Sequence, residues 1–150
     1  MNRPGRLAPR WRRGQSAVEL AVAVPALIVL LLAAADFGRI FYVSIALNNA
    51  ARAGAQYGSQ TVITAADASG MINAARSDGS NIANLNVTAS QCTCESSTNV
   101  AACPSAYCAS DAQATFVEVD ARATFNTIVT YPGIPSSTTL TGKAIMQVAQ

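Results

Sequence analysis

The sequence predicts an α+β chain, with one long N-terminal helix, membrane-spanning in its first half, packed on a small antiparallel β-sheet. Three observations predict this. An apolar run from Leu20 to Ala35 follows a cluster of arginines. A helical stripe then continues from Ile40 to Tyr57. Near the C-terminus, Val117 to Phe125 alternate apolar with polar at every position.

Length and charge bound the reading. The 150 residues suffice for one modest domain, and 12% charged against 51% apolar residues excludes a disordered polyelectrolyte. Five of the ten Lys and Arg residues are Arg3, Arg6, Arg10, Arg12 and Arg13. From Gln15 onward there are five basic and eight acidic residues, so the body is mildly acidic behind a basic tail. That tail has no basic face with interleaved aromatics, which argues against nucleic acid as a partner. It suits a topology signal that keeps the N-terminus in the cytoplasm. The chain has no His, which removes the commonest general acid–base residue and metal ligand. No enzyme, cofactor or resident metal is expected.

Leu20 to Ala35 is a sixteen-residue apolar run broken only by Pro25. A bilayer core needs roughly 20 apolar residues as a helix. Ala17 and Val18 extend the run at one end. Phe37, Ile40, Phe41, Val43 and Ile45 extend it at the other. Ile40, Val43, Leu47, Ala50, Gly54 and Tyr57 are spaced 3, 4, 3, 4, 3, one face of a helix. Asn48, Asn49, Arg52 and Gln56 fall largely off that face. One helix from about Ala17 to about Tyr57 is expected, closed by Gly58 as a C-cap. At 1.5 Å per residue it would be ~60 Å long, about twice the hydrocarbon thickness. Pro25 removes one helical N–H. Asp36 and Arg39, three apart, read as a solvated pair at the outer membrane boundary.

A secretory signal peptide competes for the same residues. "RWRRG", Leu20 to Leu32 and Ala33-Ala34-Ala35 supply its basic start, apolar core and small-residue cleavage site. Cleavage there would release a chain beginning at Asp36. Glu19 at the mouth of the apolar core, and a helical pattern running through Ala35, argue against it.

The remaining elements are shorter. "DASGMINAAR" suggests a helix with Asp67 as N-cap and Ile72, Ala75 and Arg76 on one side. "SDGSNIANLN" reads as a turn and Leu85 to Ser90 as a strand. In "ATFVEVDARATFNTIVTY", residues 114 to 131, Val117, Val119, Ala121, Ala123 and Phe125 alternate with Glu118, Asp120, Arg122 and Thr124. That pattern is a half-buried strand. "YPGIPSS" breaks it, and "TTLTGKAIMQVAQ" supplies a final strand. Asp111, Glu118 and Asp120 could be imagined as paired carboxylates, but Glu118 and Asp120 more simply face water.

Cys92, Cys94, Cys103 and Cys108 are spaced C-x-C-x8-C-x4-C. An exported domain favours disulfides. A Cys92–Cys94 bond is geometrically awkward, so each of these two is expected to pair with Cys103 or Cys108. A four-thiolate zinc site is the rival, with spacing poorly suited to a zinc ribbon.

Arg12-Arg13-Gly14, then Glu19 five residues on, then an apolar helix, is similar to a type IV prepilin processing signal. Residues 12 to 58, "RRGQSAVELAVAVPALIVLLLAAADFGRIFYVSIALNNAARAGAQYG", resemble the TadE-like proteins of the tight-adherence (Flp) pilus system, down to the closing "AARAGAQYG". The resemblance covers about a third of the chain and implies a pilin-like architecture. It divides the chain into a basic cytoplasmic leader (1–14), a long helix embedded in the membrane at its N-terminal half (15–58), and an exported α+β domain (59–150) with a Cys-rich loop (92–108). It implies cleavage by a prepilin peptidase between Gly14 and Gln15. It further implies an assembly role for Glu19, pairing with a neighbouring subunit's amine. The implied partners are that peptidase, other pilin or pseudopilin subunits, the inner-membrane pilus assembly machinery and membrane lipid. The implied location is the bacterial inner membrane, single-pass, N-terminus cytoplasmic, with incorporation into a pilus as an option.

Physics bears on Glu19 independently. A carboxylate at the centre of a membrane helix costs ~3 kcal/mol on insertion scales, less near the edge. A cation from another subunit offsets such a cost. The competing reading places Glu19 in the helix's first turn, where the macrodipole favours negative charge. As a whole, the sequence supports a minor pilin acting by contact. The alternative is a single-pass or secreted envelope binding module without prepilin processing.

Overall fold

The computed structural model describes residues 12–94, 101–104, 107–108, 114–130, 133 and 135–149, without the side chains of residues 12–14. Residues 1–11 of the basic leader and Asp111 lie outside the described residues. The chain divides into two compact units, Met1–Phe37 and Gly38–Gln150. Helix α1 (Arg12–Gly58) contributes to both.

In the first unit α1 is apolar and open. Val18 is 65%, Val22 74% and Leu31 69% exposed. A helix apolar all round and uncovered by its own chain suits lipid as its solvent. It is long and apolar enough to cross a membrane. Pro25 sits inside it without ending it, although the ring removes one N–H from the ladder.

The second unit is built on a four-stranded sheet of β1 (Asn86–Thr93), β2 (Ala101–Ala102), β3 (Thr115–Asn126) and β4 (Ser137–Gln147). The strand order is β2-β1-β3-β4. β1 and β3 pair antiparallel, as do β3 and β4, whereas β2 runs parallel to β1. The sheet is therefore mixed, and the expected all-antiparallel arrangement holds for three strands of four. Two short helices, α2 (Val62–Ala66) and α3 (Ala68–Asp78), lie between α1 and the sheet in sequence.

The alternation of β3 does what its period demands. Val117, Val119, Ala121, Ala123 and Phe125 are buried, while Arg122 and Thr124 are exposed. Val119 and Ala121 share one core cluster with Leu47, Ala50, Ala51 and Ala55 of α1 and with Met71 and Ala75 of α3. The stripe expected on α1 is the buried face, since Leu47, Ala50 and Gly54 are buried and Asn48, Asn49, Arg52 and Gln56 exposed. On α3 the buried pair is Met71 and Ala75, with Ile72 half-buried and Arg76 exposed. Across β3 and β4, Lys143 Nζ lies 2.6 Å from Glu118 Oε1, and this bond raises the lysine's pKa.

Two glycines set how closely the layers meet. A Cβ on Gly142 would stand 2.6 Å from the backbone nitrogen of Asn48, so β4 touches the α1 backbone itself. Gly58 does not act as a left-handed C-cap: it is the last residue of α1, and Gly133 is the described glycine with positive φ. A side chain at Gly58 would collide with Met71 and come within 3.2 Å of Val117 Cγ1. Close packing, not turn geometry, demands glycine there.

The helix junction is tied by Asp67. Its carboxylate caps α3 by accepting from the Gly70 backbone N–H at 2.9 Å. It also accepts from Ser69 Oγ at 2.7 Å and from the Tyr57 hydroxyl at 2.9 Å. These donors, the Ser69 hydroxyl foremost, hold the Asp67 pKa below its ordinary value. Donation to Asp67 raises that of Tyr57. α2 has a cap of its own: Thr61 Oγ1 accepts from the Thr64 N–H, and Thr64 Oγ1 accepts from the Thr61 N–H.

Two predictions follow from this packing. Gly142→Ala should destabilise the second unit by about 1–3 kcal/mol, the range for overpacking. It should read as a lower urea midpoint of the detergent-solubilised chain at unchanged slope; an unchanged midpoint contradicts the close approach. Asp67, with its lowered pKa, stabilises fully above about pH 4 and loses that contribution as pH falls through the lowered value. Tyr57, with its raised pKa, contributes below about pH 10 and loses its contribution as pH rises through the raised value. Thermal midpoints measured against pH should show a shallower acid limb in Asp67→Ala than in the parent.

Candidate functional site

The residues singled out by sequence lie along α1. Gly14 and Gln15 fall in its first turn, because the helix begins at Arg12 and not near Ala17. Apolar periodicity starts only at Ala17, but backbone hydrogen bonding needs no apolar face to continue. Gly14 is a weak point in this turn, about 1 kcal/mol less favourable than Ala in a helix interior.

Glu19 is exposed on the apolar segment, beside Val18 and Leu20, which are 65% and 62% exposed. Gln15 and Glu19 are four apart and share one helix face. Among the described residues, no hydrogen bond or ion pair engages the Glu19 carboxylate. The first turn holds no acidic residue, so the macrodipole reading of Glu19 fails for the uncut chain. The dipole's effect falls off beyond that turn.

The end of the apolar run differs from expectation. Asp36 is buried, 4% exposed, rather than solvated. Spacing shows which side chains can meet on a helix and says nothing of what packs over them. Arg39 donates from a guanidinium nitrogen to the Asn126 carbonyl at 3.5 Å, and its Cζ lies 4.9 Å from the centre of the Phe125 ring. This is a cation–π contact with the last turn-side residues of β3. Beyond Asn126 the strand ends, and Ile128 and Val129 are 54% and 37% exposed. Sequence reading ran that strand on toward Tyr131. The missed signal is two adjacent apolar residues that break the alternation.

On the far edge of the sheet, disulfides join Cys92 to Cys103 and Cys94 to Cys108, with Cα separations of 4.9 and 5.5 Å. Between these bonds the Cys103 N–H donates to Thr93 O at 3.0 Å, and the Cys94 N–H donates to Ala114 O at 2.9 Å. Tyr107 packs on Phe116 with ring centres 5.8 Å apart. The sulfurs of Cys94, Cys103 and Cys108 lie within 4.8 Å of one another, as two adjacent disulfides require. Bonded sulfur is not the thiolate that zinc needs. Glu118 is bound to Lys143 across the strands, which leaves it poorly placed as half of a carboxylate dyad. The arrangement suits contact: a lipid-facing helix with a carboxylate near its start, and a rigid oxidised domain.

No curated protein and no solved structure gives a match to this chain. A family model does match, and its match lies wholly within α1, leaving the sheet and the disulfides outside it. Residues 14–56, the segment that carries Gly14, Gln15 and Glu19, match the family described as TadE-like protein.

Proposed function

We propose that this chain is a TadE-like pseudopilin, a minor pilin that takes part in assembly of a tight-adherence (Flp) pilus. It acts by subunit contact rather than by catalysis. The observation that carries the reading is a TadE-like match that starts at Gly14 and includes Glu19 on an exposed apolar helix. The basic leader keeps the N-terminus in the cytoplasm and sends the cysteine-bearing domain to the other side. A membrane prepilin peptidase cuts the Gly14–Gln15 bond. Because both residues are helical, the first turn of α1 must unwind to be cut, and Gly14 lowers that cost.

Cleavage changes the surroundings of Glu19. Gln15 becomes the first residue and carries an amine, with Glu19 one turn further along the same face. The carboxylate, with no bonding partner among the described residues of its own chain, then meets the amine of a neighbouring pilin or pseudopilin. Removing one partner from such a desolvated pair costs about 2–5 kcal/mol. The inner-membrane pilus machinery and the surrounding lipid complete the set of partners.

The rival reading is an envelope binding module, anchored uncut or released after Ala35. The unbroken course of α1 through Ala35 and Asp36, with Asp36 buried, favours the pseudopilin. N-terminal sequencing of the mature protein should give Gln15; Asp36 or Met1 would overturn the proposal. Gly14→Leu should leave the larger, unprocessed band on a blot. Glu19→Ala should insert in the membrane and be cut normally, yet piliation counted by electron microscopy should be lost. Normal piliation by that variant would remove the role given to Glu19.

A further inference from the structure

Both disulfides lie in the second unit, outside the TadE-like match. They are not independent of each other. The sulfurs of Cys94, Cys103 and Cys108 form one trio, each within 4.8 Å of the others, and Cys92 stands outside it. One sulfur of the first bond, Cys103, therefore neighbours both sulfurs of the second. The backbone holds this meeting in place. β2 pairs with β1 as Cys92 with Ala101 and Thr93 with Ala102. The next pair in that register is Cys94 with Cys103, and the Cys103 N–H donates to the Thr93 carbonyl at 3.0 Å. Cys108 also belongs to the trio, but it follows a turn closed by the Tyr107 N–H on the Pro104 carbonyl at 2.9 Å, not a place in that ladder. All four cysteines are half-buried, within reach of a small thiol.

A disulfide is exchanged when a thiolate attacks one of its sulfurs and expels the other. We propose that Cys94 and Cys103 are a site of thiol–disulfide exchange, at which reduction by a dithiol moves the remaining bond to Cys94–Cys103. The step has two entries and one product. If the dithiol opens Cys92–Cys103, the Cys103 thiolate attacks Cys94 Sγ, the Cys94–Cys108 bond breaks, and Cys108 leaves as thiolate. If the dithiol opens Cys94–Cys108, the Cys94 thiolate attacks Cys103 Sγ, the Cys92–Cys103 bond breaks, and Cys92 leaves as thiolate. Either way the dithiol gives up two electrons and two protons and ends as its own disulfide, while Cys92 and Cys108 end as thiols. Cys92 stands outside the trio, so these two thiols are not poised to close on each other. After exchange β2 keeps a covalent tie beside the end of β1, and Cys108 has none.

The test uses the unmodified full chain in detergent. A phosphine stands in for the dithiol because it also reduces in acid. One equivalent is added at about pH 4, far below the ordinary thiol pKa of about 8.5, so opened thiols stay protonated and exchange is halted. Half the sample is capped in acid by cyanylation. The other half is first brought to about pH 8 without oxygen, where thiolate forms, and is then capped in acid in the same way. Peptide mass mapping of the acid sample should find the caps on a native pair, Cys92 with Cys103 or Cys94 with Cys108. After the pH 8 step they should lie on Cys92 and Cys108, with Cys94 and Cys103 recovered in one cross-linked peptide. Limiting dithiothreitol at pH 8 alone, on a chain never exposed to acid, should give that same product. Caps that stay on a native pair at pH 8 would overturn the proposal. So would a Cys103–Cys108 cross-link, caps spread over all four cysteines, or disulfide-linked dimers.

Discussion

The second unit of this molecule depends on how near a helix backbone can come to a sheet. Leu47, Ala50, Ala51 and Ala55 are fully buried against strands whose own inward residues are largely Val and Ala. With so little side chain between the layers, each extra methyl is felt. Interiors packed to crystal-like density have no slack to absorb it. The close approach at Gly142 is the extreme case, where a strand meets peptide groups instead of side chains. This constraint selects the face that α1 presents and keeps Ala50, Ala51, Gly54 and Ala55 small along it.

One helix carries two kinds of surface. Small residues permit close packing in lipid as well as in a protein core. What distinguishes the halves of α1 is the remainder of the surface. Before Ala35 nearly every position is apolar, whereas after Asn48 the outward positions are Asn, Arg and Gln. The transition is marked by aromatics and by Arg39, residues suited to an interface rather than to either interior.

Sequence legibility followed the length and regularity of each element. The stripe from Ile40 to Tyr57 and the alternation from Val117 to Phe125 span enough periods to be read directly, and Asp67 announced itself by its place before a helical pattern. α2 did not, because five residues carry no period and its cap is Thr61 with Thr64, not the usual Ser or Thr with Glu. β2 is two alanines, which have no strand preference of their own; the neighbouring bond from Cys92 to Cys103 places them. Gly58 was misread because glycine at a helix end has two uses, and only the packing around Met71 tells them apart. At the candidate site, sequence singled out Gly14, Gln15 and Glu19 but not the helical state of the Gly14–Gln15 bond, which no apolar period reports.

The two disulfides also have an order along the chain. Cys94 lies inside the loop closed by Cys92 and Cys103, and its partner Cys108 lies outside it. The loops are interlocked rather than nested, so opening one bond leaves the other still pinning the β1 margin of the sheet. A sheet margin pinned in this way makes a poor template for an incoming strand. The opposite margin, β4, has no strand beyond it among the described residues. The two margins of the sheet are therefore unlike, one cross-linked twice through sulfur and the other ending in a strand with no covalent tie of that kind among the described residues.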